Sequence, residues 1–166
     1  MTSPHEVTDG NETGSHALAE HHRTLGDRLA RLIARAQGGD PPELRAAWTA
    51  FERELLRHLE LEETEILPAF AREDPREART LLEEHEAIRR AMLEMGLTLD
   101  LHCLRTEGVE ELVRMLKVHA AREDAALYGW AQRHVASDTW QTIKRGLKEA
   151  AKVGASGLAH LANSFM

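Results

Sequence analysis

The chain has 166 residues, of which 42% are hydrophobic, 30% are charged and only 4% are aromatic, and its formal net charge is −7. A domain of this size can bury a core without covalent links, and the one cysteine, Cys103, excludes an internal disulfide. The acidic balance argues against a general nucleic-acid-binding protein, and no apolar run approaches the roughly 18 residues of a membrane span.

The N-terminal third of the sequence predicts a polar lead followed by two helices. Residues 1–14 are polar, contain glycine and lack the apolar core of a signal peptide, so we expect a disordered lead. Ser15 is the predicted N-cap of a first helix that ends near Gln37, before a pair of glycines. The second helix begins at Pro41 and is expected to kink or end at Pro68.

The rest of the chain predicts three more helices. Apolar residues recur at three-to-four spacing over about 76–104 and 109–134. We therefore predict an all-α fold in which residues 15–136 form an antiparallel up-down-up-down four-helix bundle. Residues 137–166 predict an additional C-terminal amphipathic helix.

Polar residues interrupt the apolar stripes of the four predicted bundle helices at matching places. The second helix carries a histidine and, four residues later, a glutamate, and the fourth helix repeats this pair. The first and third helices each carry one inward histidine. The pattern H…HxxxE…H…HxxxE is an internal repeat of a helix pair, and its members are His22, His58, Glu62, His85, His119 and Glu123.

This pattern predicts a metal site with two cations. Residues four apart share one helix face, so each imidazole and its carboxylate can point at the same central place. Burying these groups unpaired would cost several kcal/mol. Two cations remove that cost, with four neutral imidazoles as ligands and two carboxylates as bridges. Mixed nitrogen and oxygen ligation suits iron, and manganese or zinc are the less favoured ions.

His21 competes with His22 for the place in the first helix. Leu18, Leu25 and Leu29 stand at the same offsets from His22 as apolar residues do from the inward histidine of the third helix. This helical phase favours His22 and leaves His21 as the alternate ligand.

Four stretches that contain these residues closely resemble the hemerythrin HHE cation-binding domain. They are "EHHRTL", "HLELEETEILP", "EEHEAIRR" and "HAAREDAALY". The resemblance covers about residues 15–134. It implies an antiparallel four-helix bundle with a non-haem di-iron centre, held by the same four histidines and two glutamates. It also implies that the ligand is a small molecule: dioxygen, nitric oxide or peroxide.

Two departures from the oxygen-carrying members of this family bear on function. Those proteins have a further histidine four residues after the one that His85 matches, and here that position is Arg89, which cannot ligate a metal. They also use an aspartate five residues after the last histidine, which makes Asp124 an alternate to Glu123. The loss of one imidazole leaves an open coordination position, so the resemblance favours redox chemistry over oxygen transport.

A rival di-iron motif is missing from the sequence. The ferritin-like di-iron bundles need Glu-x-x-His on two helices, but leucine precedes each of His58, His85 and His119 by three residues. Tyr128 can hydrogen-bond a ligand or relay an electron, although packing is its favoured interpretation. Tyr128 and Arg89 are therefore candidates for contact with the ligands rather than ligands themselves.

The sequence predicts a non-haem di-iron protein that decomposes peroxide or detoxifies nitric oxide. A dioxygen-binding or iron- and oxygen-sensing module is the first alternative, and a structural or zinc-bound bundle is the second. The single cysteine favours a reducing, cytoplasmic location. The weakly basic last helix is expected to lie across the bundle or between two subunits, with docking to a partner or membrane surface as the alternative.

Overall fold

The computed structural model describes the backbone of residues 8–36, 41–100 and 106–163, and the side chains of residues 14–36, 41–100 and 107–153. Helices account for almost all of this backbone and it contains no strand, which confirms the all-α fold class. None of the described helices has the length and apolar character needed to cross a membrane. The elements are α1 (Thr8–Ala36), α2 (Pro41–Glu65), α3 (Leu67–Glu73), α4 (Pro75–Asp100), α5 (Thr106–Arg122), a π-helical turn (Glu123–Leu127), α6 (Tyr128–His134) and α7 (Ser137–Asn163).

Prolines and one acidic cap set the boundaries around the second and third predicted helices. The predicted second helix divides at Ile66, because Pro68 has no N–H to donate to a preceding turn. The helix resumes at once, since the backbone N–H of Phe70 donates to the carbonyl of Ile66 at 3.1 Å. Asp74 then caps α4 through a 2.9 Å bond from the N–H of Glu77 to its Oδ1.

Two predicted boundaries differ from the structure. The first helix begins at Thr8 rather than Ser15, so part of the predicted disordered lead is helical, and residues 1–7 lie outside the described residues. The predicted fourth helix is interrupted, because five of its residues form the π-helical turn. The division of the chain into lead, bundle and fifth helix stays a prediction.

Four helices close into a ring and form the bundle. α1 packs on α2, α2 on α4, α4 on α5, and α5 returns to α1. The fifth predicted helix, α7, packs across α1 and α2 from outside. Its residues Trp140 and Ile143 are fully buried, so the chain itself covers the apolar face of α7 around these two residues.

The core consists of two apolar clusters, and the helices run between them in alternating directions. α1 passes from Leu18 in the first cluster to Leu25 in the second, whereas α2 passes from Leu55 in the second to Leu61 in the first. α4 and α5 repeat this alternation, as an antiparallel bundle requires. On each helix the inward histidine falls between the two clusters, so the polar residues form one layer in the middle of the bundle.

Candidate metal centre

All six predicted ligands meet in this middle layer. Five of them are buried, with at most 2% exposure, although none of the five has an apolar side chain. The sixth, His22, is partly exposed, with 14% of its side chain accessible. The structure therefore brings together His22, His58, Glu62, His85, His119 and Glu123.

The donor atoms form two sets that share both carboxylates. One set contains His22 and His58, the other contains His85 and His119, and Glu62 and Glu123 belong to both. Within each set the donor atoms all lie within 4.8 Å of one another. The carboxylates of Glu62 and Glu123 are therefore common to two neighbouring groups of donor atoms.

The distances within the layer show how closely the donor atoms converge. Nε2 of His119 lies 2.9 Å from Oε1 of Glu123, and Nε2 of His22 lies 3.1 Å from Oε2 of the same carboxylate. Nε2 of His85 is 3.6 Å from Oε2 of Glu62 and 3.5 Å from Oε1 of Glu123. His85 is therefore near both carboxylates at once.

Several of these donor atoms have no hydrogen bond of acceptable geometry. Nε2 of His58, Nε2 of His119 and Oε2 of Glu62 are buried without such a partner among the described residues. Unsatisfied buried polar atoms are costly, and these three belong to residues of the two donor sets. Imidazole nitrogens and carboxylate oxygens are metal ligands, so the residues present fit bound cations.

Electrostatics in the metal-free layer keep the carboxylate of Glu123 charged. Burial alone would raise its pKa, but the close contacts of the carboxylate with the imidazoles of His119, His22 and His85 outweigh burial and lower the pKa well below its ordinary value. Burial would lower the pKa of His119, but its contact with Glu123 outweighs burial and raises that pKa to about 9. A cation that binds His119 must therefore displace a proton from it.

The layer has two halves, one with His22 and His58 and the other with His85 and His119. Carboxylates support both histidines of the His85 and His119 half. Nδ1 of His85 lies 2.8 Å from Oε1 of Glu63, and Arg89 donates to the other oxygen of Glu63 at 2.8 Å. Nδ1 of His119 lies 3.0 Å from Oε2 of Glu84. These contacts fix which ring nitrogen faces the centre and strengthen it as a donor.

An arginine anchors the second of these carboxylates. Arg122 donates to Oε1 of Glu84 at 2.7 Å and to Glu77 at 3.0 Å. Burial would raise the pKa of Glu63, but the hydrogen bonds from Arg89 and His85 outweigh it and lower that pKa. Glu63 is consequently an ionised acceptor for the ring N–H of His85.

The other half of the layer is supported differently. Nδ1 of His58 lies 2.9 Å from Nδ1 of His21. Burial, with a smaller contribution from His58, lowers the pKa of His21 to about 3, so its ring is neutral and can accept the N–H of His58. Behind His21, the fully buried Glu54 pairs with Arg28 at 2.5 Å.

The π-helical turn brings Tyr128 to the layer. Its hydroxyl donates to Glu62 at 2.7 Å and lies 3.1 Å from Glu123 and 3.3 Å from Nε2 of His22. Burial and the two carboxylates raise the pKa of Tyr128 well above its ordinary value, so the phenol keeps its proton. Tyr128 also lies in one of the two apolar clusters, and packing was the interpretation that the sequence favoured for this residue. Its hydroxyl nevertheless lies next to the donor atoms of the layer.

The alternate ligands lie outside the two donor sets. His21 stands behind His58, and Asp124 is exposed to solvent. Arg89 donates to Glu63, which in turn contacts His85, and its supporting role stays a prediction.

Three carboxylates that border the layer were not among the predicted site residues: Glu54, Glu63 and Glu84. Two of them stand next to a predicted ligand in the sequence, namely Glu63 after Glu62 and Glu84 before His85. Adjacency to an inward residue was the signal available for these two. Glu54 precedes His58 by four residues and so shares its helix face, which was the signal available for this glutamate.

The comparison with known proteins agrees with this geometry. Residues 13–131 match the sequence model of the family described as Hemerythrin HHE cation binding domain, and this stretch contains all six donor residues. No curated protein and no solved structure matches the chain significantly. The His and Glu layer is compatible with a metal-binding helical protein.

Proposed function

Because this chain belongs to the hemerythrin HHE cation-binding family, we propose that it is a non-haem di-iron protein that handles a small redox-active molecule. The observation that carries the proposal is the pair of donor sets that share Glu62 and Glu123. Each set offers two imidazoles together with carboxylate oxygens, which is close to the donor set of non-haem iron sites with open positions. Manganese and zinc are the competing ions.

The favoured reactions are peroxide decomposition and nitric oxide detoxification. Two iron ions, when bound, supply the electrons that either reaction exchanges with the small molecule. Decomposition of two hydrogen peroxide molecules into two water molecules and one dioxygen needs no other reductant, whereas reduction of nitric oxide requires an electron donor. Peroxide is accordingly the first substrate to test.

The protein's own residues control access to the centre and hold its carboxylates. His22 is the only one of the six donors that is partly exposed, so a small molecule would enter beside it. The apolar clusters on either side of the layer restrict water. The hydroxyl of Tyr128 holds Glu62 and remains a proton donor next to the centre.

The experiment combines elemental analysis, optical spectroscopy and turnover. Protein grown with iron should contain two iron ions per chain and show a charge-transfer band that changes on exposure to oxygen. Added peroxide should release dioxygen rapidly, and His58→Ala and Glu62→Ala should remove both the iron and the turnover. Glu60→Gln, on the exposed side of the same helix, is the matched control and should leave both unchanged.

Each alternative function predicts a different result. A stable and reversible dioxygen adduct without turnover would indicate a carrier or a sensor. Zinc in place of iron, or no metal in protein that was grown with iron, would indicate a structural bundle. Consumption of nitric oxide without release of dioxygen from peroxide would assign the second of the two reactions.

A further inference from the structure

The internal repeat extends beyond the six donors to the residues that support them. The residues that precede the inward histidines of α1 and α4, His21 and Glu84, occupy equivalent places in the repeat. Each contacts Nδ1 of the inward histidine on the next bundle helix, at 2.9 Å for His21 on His58 and 3.0 Å for Glu84 on His119. The two halves therefore have different side chains at the equivalent position: an imidazole ring in one and a carboxylate in the other.

A second equivalent pair of residues follows the two shared glutamates. Glu63 bonds Nδ1 of His85 at 2.8 Å. Its counterpart in the repeat is Asp124, which is one methylene shorter and exposed to solvent. Nδ1 of His22, the atom that a counterpart of Glu63 would support, has no hydrogen-bond partner among the described residues. At this position too, a carboxylate contacts the inward histidine in the His85 and His119 half, and in the His22 and His58 half it does not.

The difference in support changes the strength of the imidazole ligands. A carboxylate that accepts the outer N–H of a ligating imidazole increases the basicity of the nitrogen that binds the metal. Both imidazoles of the His85 and His119 half have this support, and Arg89 and Arg122 hold the supporting carboxylates in place. In the His22 and His58 half, one imidazole contacts another imidazole ring instead of a carboxylate, and the other has no such partner among the described residues.

We propose that the two halves of the layer bind cations with unequal affinity, and that the His85 and His119 half binds the first and tighter cation. This inference rests on the proposed function, since it concerns the same centre. It adds an order of loading and a role for His21, Glu63 and Glu84 as positioning residues. The His22 and His58 half, which is also the more exposed half, holds the cation that is lost first.

The test is a titration of the metal-free protein with Co²⁺, followed by calorimetry and by the visible absorption of the bound ion. Two cations that share carboxylates repel each other, so even equal halves would load in two steps. The assignment therefore comes from variants rather than from the number of steps. Substitutions of residues that hold a metal ligand in place typically cost about 10–100-fold in metal affinity.

Glu84→Gln and Glu63→Gln should each weaken the first step by about tenfold or more. His21→Gln should leave the first step within about threefold of the wild-type value, because it changes only the weaker half. Glu111→Gln, an exposed carboxylate on α5, is the matched control and should change neither step. Thermal unfolding of each metal-free variant verifies that it is folded, and the two glutamine variants of the same half provide independent tests.

The outcomes separate this inference from the function on which it rests. Failure of the wild-type protein to bind two Co²⁺ ions would overturn the binuclear proposal itself. Binding of two ions with a first step that neither glutamine variant weakens would overturn only the order of loading. The same conclusion would follow if His21→Gln weakened the first step as much as Glu84→Gln.

Discussion

Tyr128 provides one hydroxyl donor within reach of two buried carboxylates, and it donates to one of them at a time. Its hydroxyl touches both shared carboxylates, and the surrounding imidazoles keep Glu123 ionised in the metal-free protein. A hydrogen bond to a charged group contributes more than one between neutral groups, about 1.5–3 kcal/mol. The phenol therefore contributes to stability even before any cation is bound.

We expect Tyr128→Phe to lower the free energy of unfolding of the metal-free protein by about 1.5–3 kcal/mol, because buried carboxylates lose a donor while the ring volume is kept. Urea denaturation measures this difference. Thr64→Val, which removes an exposed hydroxyl bound to the carbonyl of Glu60, is the control and should have a much smaller effect. A Tyr128→Phe variant as stable as the wild type would show that the hydroxyl is not a needed donor.

Glu54 provides a pH-dependent prediction at the same scale. It is fully buried, and burial raises its pKa despite the neighbouring Arg28. A carboxyl whose folded pKa is raised contributes stability below its unfolded pKa, and that contribution is lost as pH rises through the folded pKa. The ionised form of Glu54 is thus the less favourable one in the folded protein.

Glu54→Gln removes this titration, so the stability of the variant relative to the wild type should increase as the pH rises from about 4 to about 7. Urea denaturation of both metal-free proteins at several pH values gives the difference directly. Glu60→Gln, which removes an exposed carboxylate from the same helix, provides the comparison. A difference that stays constant or falls with rising pH would contradict the raised pKa.

At the scale of the element, the π-helical turn is the feature that arranges the fourth bundle helix around the centre. A regular α-helix turns by about 100° per residue, so residues five apart would be on different faces. The turn at Glu123–Leu127 contains one extra residue per turn. It thereby places Tyr128 on the same face as Glu123, five residues earlier.

Deletion of Ala125, an exposed residue within the turn, should convert it into regular α-helix without changing the faces on either side. Glu123 and Tyr128 would then be four residues apart, which is also a shared face. We expect this variant to unfold cooperatively and to bind as much metal as the wild-type protein does. Circular dichroism during heating and a metal assay measure these properties.

Deletion of Ala87 is the matched control because it removes one alanine from a regular part of α4. It rotates His85 by about 100° relative to Ile88 and Met92 and should abolish both cooperative unfolding and metal binding. If both deletions abolished cooperative unfolding and metal binding, the π-helical turn could not be explained as a regular α-helix with one inserted residue.

At the scale of the whole molecule, the sequence could predict features that depend on local spacing, but it could not predict contacts that depend on how the helices pack. The bundle and all six donors followed from the 3.6-residue period and from polar residues repeated within it, and these signals depend only on local spacing. The sequence favoured packing for Tyr128 and left contact with the ligands as the other interpretation. It could not predict the contact with Glu123, since a regular period puts residues five apart on different faces and does not show an inserted residue. The contact of Glu54 with Arg28 depends on how α1 meets α2, which no local pattern contains.

The close packing of α7 on α1 is a second property that local sequence patterns do not contain. Gly14 in α1 faces the ring of Trp140 in α7, and a Cβ at this glycine would overlap the ring. The sequence predicted that α7 is amphipathic, but it did not identify Gly14 as the place of contact. A glycine inside a helix normally lowers stability relative to alanine by about 0.5–1 kcal/mol, so its presence here is explained by the approach of the indole.

Gly14→Ala should therefore lower the free energy of unfolding by about 1–3 kcal/mol, as overpacked core substitutions do. Gly26 is the matched control, since it lies in the same helix and a Cβ there would meet no neighbouring atom of the described residues within 4 Å. Gly26→Ala should raise the free energy of unfolding by about 0.5–1 kcal/mol. Urea denaturation of both variants measures the contrast. If α7 did not dock on α1, both glycines would respond to helix propensity alone, and both substitutions would be stabilising.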